Sequence, residues 1–136
     1  MTELSFRHLN PNWNAEPNAP DVELVVEGDT VQISFLLKPL AHDAEEGESA
    51  TLRFVGCSRW QWDASDDRAW FAGEGRYSNQ APKWGAFYEV TGESRATDDW
   101  EILAPDSPNS RHFVLCFRDD IIEFVARDWS LTRKNA

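Results

Sequence analysis

Long apolar segments are missing from this sequence. No run of residues approaches the roughly 20 apolar positions that a membrane-spanning helix requires, so a membrane is not an expected partner. The first residues, MTELSFRHLN, lack the basic stretch and apolar core of a secretory signal peptide. Cysteine is also scarce, because Cys57 and Cys116 are the only two and their spacing fits no metal site. We therefore expect a cytoplasmic protein with free, buried thiols.

Positive charge is scarce as well. The chain has 13 Lys and Arg residues against 24 Asp and Glu residues, which gives a net charge of −11. A surface of this sign repels phosphate backbones, so nucleic acid is not an expected partner. The same charge suits a soluble protein, or one whose partner is a protein with a basic face.

Motifs for familiar catalytic chemistry are absent. The chain has no glycine-rich phosphate loop, no G-x-S-x-G and no H-E-x-x-H. His112 and Cys116 are four residues apart on a predicted strand, or roughly 13 Å, which is too far for one metal ion. Glu123 on the next strand is expected to raise the pKa of the Cys116 thiol, which disfavours a nucleophile. We predict no metal, no cofactor and no catalytic residue, although carboxylate chemistry of the glycosidase type stays open.

Apolar and polar residues alternate along most of the chain, as is typical of β-strands. With 136 residues, 41% of them hydrophobic, the chain is long enough to bury one core. We predict a single all-β domain over residues 1–136, an antiparallel β-sandwich or barrel of about eight strands. A long irregular loop over residues 63–83 includes at most one short helical turn. The predicted strands lie at residues 4–9, 22–26, 31–37, 51–62, 84–90, 100–103, 111–117 and 121–129.

Two hairpins are predicted from turn residues. Gly28 and Asp29 form the turn of the first. In the second, a two-residue loop at Asp119 and Asp120 separates an apolar face from a polar face, which is how register is normally specified. The predicted pairs are Phe117 with Ile122, Leu115 with Phe124 and Phe113 with Ala126 on the apolar face, and Cys116 with Glu123, Val114 with Val125 and His112 with Arg127 on the other.

Three of the seven tryptophans lie in the stretch RWQWDASDDRAWF at residues 59–71. In a continuous strand over residues 51–62, Trp60 and Trp62 share parity with the core positions. A bulge at Gly56 reverses that parity and turns both side chains outward. Core and solvent-facing positions therefore both stay open for these tryptophans. The same alternatives hold for Trp13, Trp70 and Trp84.

Two irregular segments, NWNAEPNAP at residues 12–20 and GRYSNQAPKWGAFYE at residues 75–89, mix aromatic, amide, carboxylate and guanidinium groups. Such a mixture is typical of a ligand pocket. A structural role explains it equally well, because asparagines satisfy irregular backbone and Arg76 could pair with Glu16 or Glu89. The candidate ligand-binding residues are Trp13, Asn14, Glu16, Asn18, Arg76, Tyr77, Trp84 and Glu89.

Three blocks of the chain, at residues 12–20, 75–90 and 111–126, carry a resemblance. NWNAEPNAP, GRYSNQAPKWGAFYEV and RHFVLCFRDDIIEFVA resemble, in order and spacing, the recurring blocks of a group of small bacterial proteins with no known activity. In that group a cysteine often stands where this chain has Gly75, and N-D-E-G-W where this chain has DDRAW. The resemblance implies a compact cytoplasmic bacterial domain, in which any role that needs this cysteine is absent.

Three kinds of function stay open. The first is a non-catalytic acidic protein that binds a protein with a basic face, as an immunity protein binds a toxin, with the acids at 43–48 and 63–67 steering association. The second is a small-molecule binder, or an enzyme, that uses a cleft between residues 12–20 and 75–90. The third is a structural role in which an edge strand at 99–103 or Trp129 supports a dimer rather than a monomer.

Overall fold

The computed structural model describes residues 5–16, 21–39, 41–64, 85–91, 100–117 and 120–135. Within these ranges the chain forms strands and one 3₁₀ turn at Ala41–Asp43. The strand pairs are antiparallel and build one sheet of six strands and one of four, which confirms the predicted all-β sandwich. The strands are β1 (Ser5–His8), β2 (Glu23–Glu27), β3 (Thr30–Leu36), β4 (Ser49–Val55), β5 (Arg59–Ala64), β6 (Phe87–Thr91), β7 (Glu101–Ile102), β8 (Arg111–Cys116), β9 (Asp120–Ala126) and β10 (Asp128–Lys134).

The core lies between the two sheets, and phenylalanines are among its largest fully buried side chains. The larger sheet has the order β1-β6-β8-β9-β5-β7, and the smaller has the order β10-β4-β3-β2. Phe54 of the smaller sheet stacks on Phe124 of the larger sheet, with ring centroids 4.0 Å apart. Phe35 packs edge-to-face on Phe117 at 5.9 Å. Each fully buried Phe side chain contributes about 1.5–3 kcal/mol of hydrophobic stabilisation, so these contacts join the sheets strongly.

Two of the eight predicted strands each divide into two, which gives ten strands within the described residues. The strand predicted over residues 51–62 becomes β4 in the smaller sheet and β5 in the larger sheet. The strand predicted over residues 121–129 divides in the same way into β9 and the start of β10. Because β4 pairs with β10 and β5 pairs with β9, one ladder passes from sheet to sheet. Strands that bend in this way form the corners of a sandwich.

The corner contains a bulge at Gly56, one of the two alternatives that the sequence left open. Val55 pairs with Asp128 and Arg59 pairs with Val125, so three residues on one segment oppose two on the other. Gly56 has a φ of 60°, a conformation that glycine adopts readily and other residues rarely. The glycine therefore permits the bend that moves the chain from one sheet to the other.

Trp60 and Trp62 lie beyond this bulge, opposite the core residues Phe124 and Ile122 of β9, so the expectation that a bulge would turn both side chains outward is wrong. Trp60 is half-buried and packs against the core, whereas Trp62 is 40% exposed. Trp70 and Trp84 lie outside the described residues.

The register predicted for the second hairpin is wrong by two residues. Leu115 lies opposite Ile122 instead of Phe124, and Phe113 lies opposite Phe124 instead of Ala126. The N–H of Phe117 donates to the carbonyl of Asp120 at 2.8 Å, so Phe117 bonds to Asp120 and does not lie opposite Ile122. A shift of two residues keeps every side chain on its face, so alternation alone does not distinguish the two registers. The corrected pairs on the second face are Cys116 with Ile121, Val114 with Glu123 and His112 with Val125.

The second face of this hairpin, predicted to be its polar face, is buried as well. Val114, Cys116, Val125 and Glu123 are fully buried, and His112 is 1% exposed. Both faces of β8 and β9 therefore lie inside the protein, as expected for the central strands of a sheet that is covered on two sides.

Candidate functional site

Strand β2 forms an open edge of the smaller sheet. It pairs with β3 on one side, and no strand of the described residues pairs with its other side. Gly28 and Asp29 form the predicted two-residue turn between β2 and β3, and Gly28 has the positive φ of 61° that such a turn requires. Val25 is 51% exposed and Val26 is 38% exposed. This edge is therefore accessible to another chain.

Acidic side chains surround this edge. Asp21, Glu23, Glu27 and Asp29 are all exposed, and within the described part of the chain none of them forms an ion pair. Residues 9–37 contain no Lys, Arg or His. Together these carboxylates make the potential at this edge negative, which favours a cationic partner. We refer to residues 21–29 as the acidic edge.

Sequence reasoning did not single out the acidic edge. Glu23 and Glu27 alternate with apolar residues, which is typical of the solvent face of any hairpin. Their importance depends on strand order, because the same residues in a central strand would offer no free backbone groups. Strand order follows from long-range pairing, and a single hairpin does not reveal it.

The acidic loop at residues 43–48, which was predicted to steer a partner, has part of its charge engaged within the protein. Arg133 Nε donates to Glu48 Oε2 at 2.6 Å, and the N–H of Glu45 donates to Glu48 Oε1 at 3.1 Å. These hydrogen bonds, above all the one from Arg133, lower the pKa of Glu48. Glu45 and Glu46 are exposed. The acidic side chains at 63–67 lie outside the described part of the chain.

Asn10, which sequence reasoning missed, fastens the first predicted ligand-binding segment to the larger sheet. Asn10 is fully buried. Its Nδ2 donates to the carbonyls of Trp13 at 2.8 Å and Gly85 at 3.2 Å, and its Oδ1 accepts the N–H of Phe87 at 2.9 Å. One amide thus satisfies three backbone groups that have no partner in a ladder, as asparagines in irregular segments often do. The adjacent prolines and asparagines were the available signal.

Residues 13–16 continue this attachment along the end of β3. The N–H of Glu16 donates to the carbonyl of Leu36 at 2.9 Å, and Asn14 accepts the N–H of Lys38 at 2.9 Å. Trp13 is 4% exposed and lies in the core beside Phe35, with ring centroids 5.4 Å apart. Asn14 and Glu16 are half-buried.

The structure therefore brings three of the eight candidate residues together, at positions 13–16. Glu89 lies on β6, where it binds Arg111. The ligand site between residues 12–20 and 75–90 stays a prediction. Four of its residues, Asn18, Arg76, Tyr77 and Trp84, fall outside the described ranges.

Glu89 forms a two-pronged ion pair with Arg111 of β8. Arg111 Nε donates to Glu89 Oε2 at 3.0 Å, and the terminal nitrogen Nη2 donates to Oε1 at 2.8 Å. This pair holds the pKa of Glu89 below its usual value, and Arg7, opposite on β1, contributes to the shift. It also raises the pKa of Arg111. The arrangement links neighbouring strands, which is the structural role considered for Glu89 from the sequence, with a different arginine.

We expect Glu89→Gln to lower the free energy of unfolding by about 1 kcal/mol at pH 7, since the ion pair is partly exposed. The pKa of Glu89 is lowered in the folded state. The pair therefore stabilises the fold fully above the usual carboxylate pKa, and this contribution is lost as the pH falls through the folded-state pKa. Urea denaturation at pH 7 and at about pH 3 should show the difference from wild type shrink, while Glu101→Gln, at an exposed acid, changes little at either pH. A difference that is independent of pH would contradict this.

A buried polar cluster lies on the outer face of the larger sheet, on three adjacent strands. Glu123 of β9 is fully buried. Its Oε1 lies 2.6 Å from Nε2 of His112 on β8, and its Oε2 accepts a hydrogen bond from Gln61 on β5. The ring of Trp100 packs edge-to-face on His112 at 5.7 Å. Burying a carboxylate is costly unless it is paired and hydrogen-bonded, so these partners are essential to the sheet.

This cluster was missed because the predicted hairpin register was wrong by two residues. In that register Glu123 lies opposite Cys116, four residues from His112 along β8. In the observed register Glu123 lies opposite Val114, which makes it a diagonal neighbour of His112. The cluster is buried at 5% exposure or less, so its side chains are not positioned to meet a ligand from solvent.

Neither cysteine is activated. Burial raises the pKa of the Cys57 thiol to about 12. Burial also raises the pKa of Cys116, and the negative charge of Glu123 adds to this shift, in the direction predicted. Both thiols are free and buried. A thiolate is the reactive form, so both residues are inert thiols at neutral pH.

A small cleft lies at the corner between the sheets. Its volume is about 150 Å³, which is below the roughly 300 Å³ at which pockets begin to hold drug-sized ligands. Arg127 and Asp29 face it with opposite charges. The other lining residues are Gly56, Cys57, Ser58, Ala104, Pro105, Ser107 and Ser110.

The fold and the acidic edge define an acidic β-sandwich protein in which β2 is an open, carboxylate-rich edge strand of the described residues. Comparison of the chain with models of protein families, with curated proteins and with solved structures gives no match. In the described ranges, no group of three or more His, Cys, Asp or Glu side chains is arranged to hold a metal ion. The same ranges contain no helix that could cross a membrane by its length and apolarity.

Proposed function

We propose that this chain is a cytoplasmic, non-catalytic protein that binds a basic segment of a protein partner through the acidic edge. The observation that carries the proposal is the concentration of four carboxylates without ion-pair partners among the described residues on one open strand. Two exposed valines, Val25 and Val26, lie between Glu23 and Glu27 and add apolar surface to the same edge. Two free, buried thiols support a reducing compartment.

Charge of one sign favours encounter with a partner of the opposite sign. The net charge of −11 steers cationic surfaces toward the protein, and the local carboxylates orient them at the acidic edge. Screening is strong beyond about 8–10 Å at physiological salt, so only nearby carboxylates contribute to the bound state. The proposal therefore requires that Asp21, Glu23 and Glu27 contribute more to the affinity for the partner than equally charged residues elsewhere on the protein.

Two variants with the same total charge test this requirement. The edge variant carries Asp21→Asn, Glu23→Gln and Glu27→Gln. The control variant carries Glu45→Gln, Glu46→Gln and Glu101→Gln, three exposed acids away from β2. Each variant loses three negative charges and keeps side-chain size, so their folds can be compared directly by thermal denaturation.

The measurement is capture of proteins from a lysate of the source cells on immobilised wild type and on each variant, at low and moderate salt. We expect a stoichiometric partner that elutes with salt from wild type and from the control variant. Its affinity for the folded edge variant should be at least tenfold lower, which is about 1.4 kcal/mol of binding free energy. Equal binding to the edge variant, or loss on the control variant instead, would overturn the proposal.

A further inference from the structure

We infer that the partner segment binds as an added strand, pairing its backbone with the open side of β2 and extending the smaller sheet from four strands to five. This inference rests on the proposed function and specifies its binding mode. Strand addition to an open sheet edge is a common mode of peptide recognition, in which main-chain hydrogen bonds provide affinity and alternate side chains provide specificity. The charge, exposure and backbone orientation of β2 each support it.

The backbone groups that would pair with a partner belong to Leu24 and Val26. The turn at Gly28–Asp29 closes Glu27 against Thr30, and the register continues with Val26 opposite Val31. In an antiparallel pair that begins at such a turn, every second residue points its N–H and C=O toward the neighbouring strand. Glu27, Val25 and Glu23 therefore bond to β3. Leu24 and Val26 point their N–H and C=O outward.

The side chains of β2 define the sequence that such a segment would have. Glu23 and Glu27 share the outer face of the sheet with Val25, whereas Leu24 and Val26 share the core-facing side with Ile33 and Val31. A partner strand would place Lys or Arg opposite the two glutamates. It would place apolar residues opposite Leu24 and Val26, where they extend the core. We therefore expect a segment in which basic and β-branched residues alternate.

A second copy of this chain is a poor occupant of the same edge. Antiparallel pairing of two β2 strands about Val25 would place Glu23 of one copy opposite Glu27 of the other, twice. Like charges directly opposite each other destabilise a strand pair, and charged residues on edge strands commonly prevent such self-pairing. The charges of β2 therefore reject self-association and select a basic segment.

The probe is a synthetic peptide, Lys-Val-Lys-Val-Thr-Val-Lys-Val-Lys, blocked at both ends. Its sequence is the same in both directions, so the test does not depend on strand orientation. The readout is the amide nitrogen–proton NMR spectrum of the labelled full chain during titration to millimolar peptide. We expect the largest shifts, and slower hydrogen exchange, at the amides of Leu24 and Val26, because these gain hydrogen bonds.

Val26→Pro removes one outward N–H without removing a bond to β3, since proline is tolerated on the open side of an edge strand. Val26→Ala is the matched control, because it shortens the same side chain and keeps the N–H. We expect Val26→Pro to weaken peptide binding at least tenfold relative to Val26→Ala. The amide spectrum away from β2 reports whether both variants stay folded.

The outcomes separate the binding mode from the proposed function. Binding that depends on the acidic edge but is equal for Val26→Pro and Val26→Ala would overturn strand addition and leave the charged interaction intact. Shifts located away from β2, or no shift at millimolar peptide, would also overturn it. Two results together support both strand addition and the charged interaction. Binding is lost in Val26→Pro and in the edge variant, and it is retained in Val26→Ala and in the control variant.

Discussion

Glu123→Ala is expected to lower the free energy of unfolding by about 3–5 kcal/mol, because it removes the central group of a fully buried polar cluster. Glu123 is fully buried, with His112 at 2.6 Å and Gln61 as a second partner. Removal of the carboxylate takes a hydrogen-bond partner away from His112 and from Gln61, and both of these polar side chains stay buried. Urea denaturation measures the change as a lower transition midpoint with an unchanged slope.

A double-mutant cycle shows whether the contact between Glu123 and His112 is the cause of the lost stability. His112→Ala and Glu123→Ala remove groups in direct contact, so the loss for the double variant should differ from the sum of the single losses by about 1–3 kcal/mol. Glu101→Ala, at an exposed acid, serves as the control and is expected to change stability by less than about 0.5 kcal/mol. If Glu123→Ala costs no more than this control, the cluster does not stabilise the sheet.

Gly85→Ala is expected to lower the free energy of unfolding by roughly 3 kcal/mol. Gly85 has a φ of 81°, and an added Cβ would overlap the carbonyl oxygen of Ala15, a backbone atom that cannot rotate away. The same glycine carbonyl accepts hydrogen bonds from Ala15 and Asn10. Alanine at this position would therefore push the segment at residues 10–16 away from the sandwich.

Gly28→Ala is the matched control for that substitution. Gly28 has a φ of 61°, but an added Cβ meets no atom within 4 Å. It should therefore show only the backbone strain of a positive φ, about 1 kcal/mol. Thermal or urea denaturation of both variants compares the two effects directly. Equal losses would show that contact with Ala15 contributes nothing at Gly85.

The hairpin of β2 and β3 could be predicted from the sequence because its signals are local. The alternation over residues 22–37 identifies two strands, and Gly28–Asp29 identifies the turn between them. Both signals act between residues that are close in the chain. The same reasoning offered a bulge at Gly56 as an alternative to a continuous strand, because glycine tolerates the positive φ found there.

The register of the last hairpin shows where local signals fail. The predicted and observed registers differ by two residues, and both keep the apolar side chains on one face. The choice between them depends on packing, such as the stack of Phe124 on Phe54 from the other sheet. The Glu123–His112 pair follows from that choice, so it could not be predicted before the register was known.

The same difference between local and long-range information applies to the candidate site. The excess of acidic residues is visible in the composition and predicts a basic partner without the structure. The composition does not show that Glu48 is held by Arg133, or that Glu23 and Glu27 lie on an open edge. Those facts depend on which strands become neighbours across the sandwich.

The sequence by itself determined the all-β class, the positions of most strands, the turn at Gly28–Asp29 and the sign of the surface charge. These properties follow from side-chain alternation and from residues with special backbone preferences, which act over a few positions. Only the tertiary structure decided the strand order, the division of two strands at the corner and the open edge at β2. The physical reason is that pairing between distant strands is selected by the packing of the whole core, in which each contact depends on all the others.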